Sequence, residues 1–170
     1  MPDRVKQTIF DMLGSRYDCP GVLPPLVVAD VFAGGGSMGL EALSRGAAFC
    51  SFFERDRDAL ETLRRNVESL GAGRQSCIVP GDAWRADIAA PGGRPFGLIF
   101  LDPPYRDCKD ASEQGPLGRF LSRLARSSAD GCLVVLHHPA GTRFALADDD
   151  PWRVVEERRV GSNALTFFAS

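Results

Sequence analysis

Two hydrophobic rhythms alternate along the chain. Short, nearly continuous apolar runs, as expected of strands buried on both faces, occupy residues 26–29, 49–53, 77–79, 96–101 and 132–136. Between them apolar positions fall at helical spacing: Val5, Ile9, Met12 and Leu13; Leu40 and Leu43; Ala59, Leu60, Leu63, Val67 and Leu70; Leu117, Phe120, Leu121 and Leu124. The boundary residues agree. Asp3 is placed to cap the first helix and Gly14 to stop it, and Arg45 sits in the last turn of the second with Gly46 just beyond. Asp56 or Asp58 caps the third, Gly71 ends it, and Glu61 and Arg65 are spaced to pair across one turn. Arg119, Arg123 and Arg126 fall on the polar face of the fourth. Strands alternating with helices predict a mostly parallel α/β sheet with helices on both faces. The end breaks the rhythm: residues 152–160 and 163–169 are both strand-like and meet at Gly161-Ser162, which predicts an antiparallel hairpin. No repeat or linker divides the chain, so a single domain over residues 1–170 is expected.

The first strand runs into Asp30-Val31-Phe32-Ala33 and then Gly34-Gly35-Gly36-Ser37-Met38-Gly39, which fits G-x-G-x-x-G through Gly34, Gly36 and Gly39. Such glycines remove Cβ atoms where backbone approaches a ligand and where helix packs on strand, and the following helix offers unpaired N–H groups. The loop alone fits either a nucleotide-like ligand or a plain glycine turn. Ligands in parallel sheets sit beyond the carboxyl ends of the strands, and four consecutive strands carry an acid there: Asp30, Glu54, Asp82 and Asp102. Glu54 follows the first loop glycine by 20 positions, where a carboxylate can accept from ribose hydroxyls. Asp82 suits an adenine amino group, with Ala83 making a backbone contact to the ring.

Composition narrows the classes. Of 170 residues, 44% are hydrophobic and 25% charged, and no apolar run approaches the roughly 20 residues of a membrane span. Net charge is −2, so a nucleic-acid partner has to be met by a local patch or by pocket chemistry. The five cysteines form no C-x-x-C; Cys50, Cys77 and Cys132 lie in strand-like runs and read as small buried hydrophobes. A cytoplasmic chain without metal follows. His137 and His138 have no third ligand at suitable spacing and read as structural or pocket-lining, and Trp84 reads as core.

Asp102-Pro103-Pro104-Tyr105 carries the most chemistry. Paired prolines stiffen the chain just past the fourth strand. They hold the Pro103 carbonyl beside the Asp102 carboxylate, two acceptors suited to the two hydrogens of an exocyclic amine. Tyr105 offers a face on which a base can stack. Arg106 and Lys109, just beyond, fit phosphate contacts and equally fit plain surface charge.

Together with Arg4-Val5-Lys6, residues 30–34 and 39–47, the Asp-Pro-Pro-Tyr run resembles the bacterial 16S ribosomal RNA guanine-N2 methyltransferases of the RsmD type. That resemblance covers nearly the whole chain. It implies a Rossmann-like class I methyltransferase fold, S-adenosyl-L-methionine as cofactor, ribosomal RNA as partner, and a cytoplasmic monomer without metal. Asp30, Phe32, Ala33, Gly34 and Gly36 would wrap the methionine part. Glu54 would hold the ribose and Asp82 with Ala83 the adenine, with Arg55 as a further cofactor contact. Asp102, Pro103 and Tyr105 would be catalytic, with Arg4, Pro104 and Arg106 touching substrate. The family usually begins with a basic β-hairpin, expected here to be absent or to lie outside this sequence, and often has serine or threonine at the place of Gly35. An adenine-N6 methyltransferase would use the same tetrapeptide. An NAD-dependent oxidoreductase would use the loop and Glu54, and a non-catalytic RNA-binding protein could retain the pocket.

Overall fold

A computed structural model describes residues 3–108, 110–146 and 149–170. Its strands are β1 (Val27–Val31), β2 (Phe49–Glu54), β3 (Ser76–Pro80), β4 (Phe96–Leu101), β5 (Ser128–Pro139), β6 (Arg153–Val160) and β7 (Asn163–Ala169). The helices are α1 (Asp3–Arg16), α2 (Ser37–Ser44), α3 (Arg57–Ser69) and α4 (Pro116–Leu124). One seven-stranded sheet has the order β3-β2-β1-β4-β5-β7-β6. Strands β1 to β5 are parallel, and β7 inserts antiparallel between β5 and β6. The chain winds outward from β1 through β2 to β3, then returns to β4 on the other side of β1. Strand order therefore reverses between β1 and β4, which opens a crevice at their carboxyl ends.

Alternate strand residues face opposite layers, and each set finds helices to bury it. Val28, Leu98, Leu133 and Val135 pack with Ile9, Phe10 and Leu13 of α1, Met38 and Leu40 of α2, and Leu63 and Val67 of α3. On the other side Ala29, Val31, Ile99, Leu101, Val134 and Leu136 pack with Leu117, Phe120, Leu121 and Leu124 of α4. Trp152 closes this second layer, fully buried, its indole N–H donating to the Leu121 carbonyl at 2.7 Å.

The expected alternation and the closing hairpin are both present. Four local expectations are corrected. Gly14 does not stop α1, which runs on to Arg16. A Cβ at Gly14 would lie 3.3 Å from Pro20 Cα, so glycine serves the close return of the chain there. Arg65 donates to Thr62 Oγ1 at 3.3 Å and makes no pair with Glu61. Cys77 is only half-buried because β3 is an edge strand. Arg123 leaves the solvated face of α4 and donates to the Trp84 and Ala83 carbonyls at 2.9 and 3.1 Å. Among the described residues no helix is long and apolar enough to cross a membrane.

Candidate active site

The turn after β1 is built around two carboxylates. Asp30, 3% exposed, lies under the glycine loop and accepts from the Gly39 N–H at 2.8 Å, anchoring the first turn of α2. Burial, reinforced by Asp102 and Glu54 and opposed by the Gly39 hydrogen bond, pushes its carboxyl up to about 7. The loop is closed from the other side by Glu54. Its Oε2 accepts from Gly34 N–H at 2.7 Å, and its Oε1 accepts from Arg55 and Asp56 N–H at 2.7 and 2.8 Å. Ala33 N–H continues the link to β2 by donating to the Phe53 carbonyl at 3.0 Å. Gly36 and Gly39 are demanded by packing. A Cβ would come within 2.4 Å of Leu63 at the first and 2.4 Å of the Phe52 ring at the second.

Phe32 adopts φ +64, the left-handed region that a bulky side chain rarely enters. Its ring is held there by Trp84 at 5.1 Å and Phe120 at 6.1 Å. Phe32, Phe53, Glu54, Gly81, Ala83 and Asp102 line a cavity of 240 Å³, with Arg55 and Pro104 completing it. Across its edge Arg55 Nη1 lies 3.5 Å from Asp82 Oδ2, while Asp82 Oδ1 accepts from Trp84 N–H at 3.1 Å. The Arg123 guanidinium holds the carbonyls of Ala83 and Trp84, bracing this segment from α4. Sequence spacing could not reveal that brace, since Arg123 lies 40 positions from Ala83.

Beyond β4 the Asp-Pro-Pro-Tyr run turns out of the sheet. The Pro104 carbonyl accepts from Asp107 N–H at 2.8 Å. That of Pro103 accepts no hydrogen bond from the described residues. Tyr105 stands 47% exposed. Asp102 Oδ1 lies 2.8 Å from Nδ1 of His137, the residue after Leu136 in β5. The Tyr105 and His137 rings meet edge-on at 5.9 Å. A second cavity of 410 Å³ is lined by Tyr105, Cys108 and residues 139–143.

The structure thus gathers Phe32, Glu54, Arg55, Ala83, Asp102 and Pro104 at one cavity, sets Asp82 at its edge, and leaves Asp30 buried and bonded to Gly39, outside the cavity lining, with Tyr105 next to Pro104. Arg106 is exposed next to Tyr105 and 3.6 Å from Asp107. Arg4 lies on the exposed face of α1's first turn and lines neither cavity. Lys109 lies outside the described residues. His138 is structural: Nδ1–H donates to the Pro139 carbonyl at 2.9 Å and Nε2 accepts from Thr166 Oγ1 at 2.8 Å. Burial draws its pKa down, consistent with that neutral arrangement. Trp84 is only partly buried and is shared between the Phe32 and Phe120 rings.

A family model described as "Conserved hypothetical protein 95" matches residues 1–169. Ribosomal RNA small subunit methyltransferase D of Escherichia coli is 38% identical over 104 residues, covering 61% of this chain and 48% of that protein. The chain spans about half the length of the curated relatives it matches. The solved structure of yhhF from Escherichia coli superposes with a TM-score of 0.77 at 28% identity, over 98% of this chain and 84% of that one. An RNA methyltransferase from Salinibacter ruber, solved in complex with S-adenosyl-L-homocysteine, shares the fold at 18% identity and a TM-score of 0.65, over 96% of this chain and 90% of that one.

Proposed function

The chain belongs to the conserved hypothetical protein 95 family, the RsmD family, and on that footing we propose that residues 1–170 form one S-adenosylmethionine-dependent methyltransferase domain acting on the exocyclic N2 of a guanine in 16S ribosomal RNA. The observation that carries this reading is the pair of acceptors past β4. The Asp102 carboxylate is held against His137, and the Pro103 carbonyl takes no hydrogen bond from the described residues, beside a cavity on one side and an exposed tyrosine on the other.

The residues present fit the cofactor. A Cβ built on Gly81, which lines the cavity, meets nothing within 4 Å, so space a side chain would take is left to a ligand. Glu54 stands at the ribose place, Ala83 and Asp82 at the adenine place, and the loop through Asp30, Phe32, Ala33, Gly34 and Gly36 at the methionine place. Three backbone N–H groups already occupy the Glu54 oxygens. Of about four lone-pair sites, one is left for a ribose hydroxyl until Gly34 N–H lets go. When bound, the cofactor supplies an electrophilic methyl group on a sulfonium.

The chain's own residues would do the rest. A guanine amine is a weak nucleophile because its lone pair is delocalised into the ring. Hydrogen bonds from its two N–H groups to Asp102 and Pro103 draw it toward tetrahedral geometry. An ionised Asp102 stabilises the positive charge that grows on nitrogen and accepts the proton that leaves. The base has to leave its stack to reach this place, and the Tyr105 face replaces what is lost. Arg143 lines the outer cavity and the exposed Arg106 stands next to Tyr105, both as phosphate contacts. A nicotinamide dinucleotide calls for a second parallel mononucleotide-binding half. Here the sheet closes instead on the antiparallel β7, which favours the methyltransferase reading.

The test is transfer of labelled methyl from S-adenosylmethionine to small-subunit RNA from a strain lacking this protein, followed by nucleoside analysis. N2-methylguanosine is expected. N6-methyladenosine would move the assignment to the adenine amine. Calorimetric binding of NAD without S-adenosylhomocysteine would overturn it.

A further inference from the structure

We propose that His137 is a positioning residue for the transfer step, fixing the Asp102 carboxylate and the Tyr105 ring relative to each other. This rests on the methyltransferase reading of the site. An aspartate at the start of a turn is ordinarily steadied by the backbone N–H two residues on. At Asp102 the next two residues are prolines, so the run that stiffens the main chain also removes both nearby donors. β5 supplies a tether from another element. Leu136 pairs in register with Leu101, which sets His137 beside Asp102 at 2.8 Å. β7 holds β5 from the other edge, with His137 opposite Leu165. The imidazole therefore stands on a strand bonded along both sides and is 2% exposed, a rigid mount for the group it holds.

Hydrogen-bond accounting favours one tautomer of the ring. His137 Nε2 is buried and has no hydrogen-bond partner among the described residues. An imidazolium, or a neutral ring protonated on Nε2, would leave a buried N–H unmatched, which is costly. The second would also set the Nδ1 lone pair against the carboxylate. The Nδ1-protonated neutral ring leaves only a bare acceptor inside and donates to an ionised Asp102, the state the amine needs. The same ring meets the edge of Tyr105 at 5.9 Å, so one side chain touches both the acceptor and the stacking platform. Without the His137 hydrogen bond the carboxylate loses one of the contacts that fix it, and misplacement of the reacting groups by about 1 Å costs on the order of a hundredfold in rate.

The experiment compares wild type, His137→Leu and His137→Asn in methyl transfer to small-subunit RNA, with calorimetric binding of S-adenosylhomocysteine and melting temperature alongside. Asparagine places an amide N–H close to where Nδ1–H stands; leucine fills similar volume without a donor. Expected are a fall in kcat of roughly tenfold to a hundredfold for leucine, recovery to within a few-fold for asparagine, and cofactor affinity within about twofold of wild type in both. Leucine matching wild type in kcat, or asparagine losing as much as leucine, overturns the proposal while leaving the methyltransferase reading intact. A wild type that methylates no ribosomal RNA overturns both. Nitrogen NMR of the histidines in the wild-type protein reports independently of whether the leucine variant folds. The Nδ1-protonated tautomer of His137 is expected, and an Nε2-protonated ring overturns the proposal.

Discussion

At the scale of single residues the site separates charge that must stay from charge that comes and goes. Asp102 has to be ionised to stabilise a cationic nitrogen, and Asp102→Asn keeps the shape while removing the charge. Transfer by that variant is expected to fall at least about a hundredfold, with S-adenosylhomocysteine affinity and melting temperature little changed. Turnover near wild type would remove the carboxylate from the mechanism. Asp30 is the opposite case. Burial raises its carboxyl to about 7, so between about pH 4 and 7 the folded protein holds a proton that the unfolded chain has released. Its contribution is therefore present in acid and lost as pH rises through 7, at up to roughly 1.4 kcal/mol per pH unit. Urea midpoints at pH 5 and pH 7.5 test this: Asp30→Asn, which keeps an acceptor for Gly39 N–H, should show a smaller loss of stability across that interval than wild type.

Elements were legible where the signal is local and opaque where it depends on register or on close approach. The apolar runs of β1, β2 and β4 and the stripe of α4 follow from residues within a few positions of one another, and their places in the fold agree with the pattern. The carboxyl-end rim and its Glu54, Ala83 and Asp102 could be assembled from topology alone, because parallel strands put their ends together. His137 could not. It pairs with a residue 35 positions away, and only the β4–β5 register brings the two side by side. The left-handed Phe32 is equally silent, since it is held by rings that arrive from Trp84 and α4. Gly14 misled because a glycine that admits a neighbouring segment looks, in one dimension, like a glycine that ends a helix. Gly39 shows what such close approach demands. In Gly39→Ala the new methyl would meet the Phe52 ring at 2.4 Å and Cys50 Sγ at 2.5 Å, and overpacking of this kind costs about 1–3 kcal/mol, readable as a lower urea midpoint. Arg123→Ala removes the two donors that brace Ala83 and Trp84, and S-adenosylhomocysteine affinity is expected to drop several-fold while the fold persists. Unchanged affinity would free the adenine side from any dependence on α4.

Over the whole molecule the net charge of −2 limits how nucleic acid can be held. With no net positive charge on these residues, binding to small-subunit RNA is expected to show a shallow salt dependence. Replacing Arg106 or Arg143 by alanine should reduce that slope by roughly one each. A steep slope unaffected by either change would place the main RNA contact elsewhere. The antiparallel β7 has a consequence of another kind. It is threaded between β5 and β6, and it seals the margin of the strand that carries His137. During synthesis that stretch leaves the ribosome after β1 to β6 have been made. A chain interrupted before Asn163 would present β5 as an open ribbon, prone to pair with whatever strand it meets, and its histidine would have no firm seat. Competence would then wait for β7 to dock, and fragments of the nascent polypeptide that end before it would be silent rather than partly active.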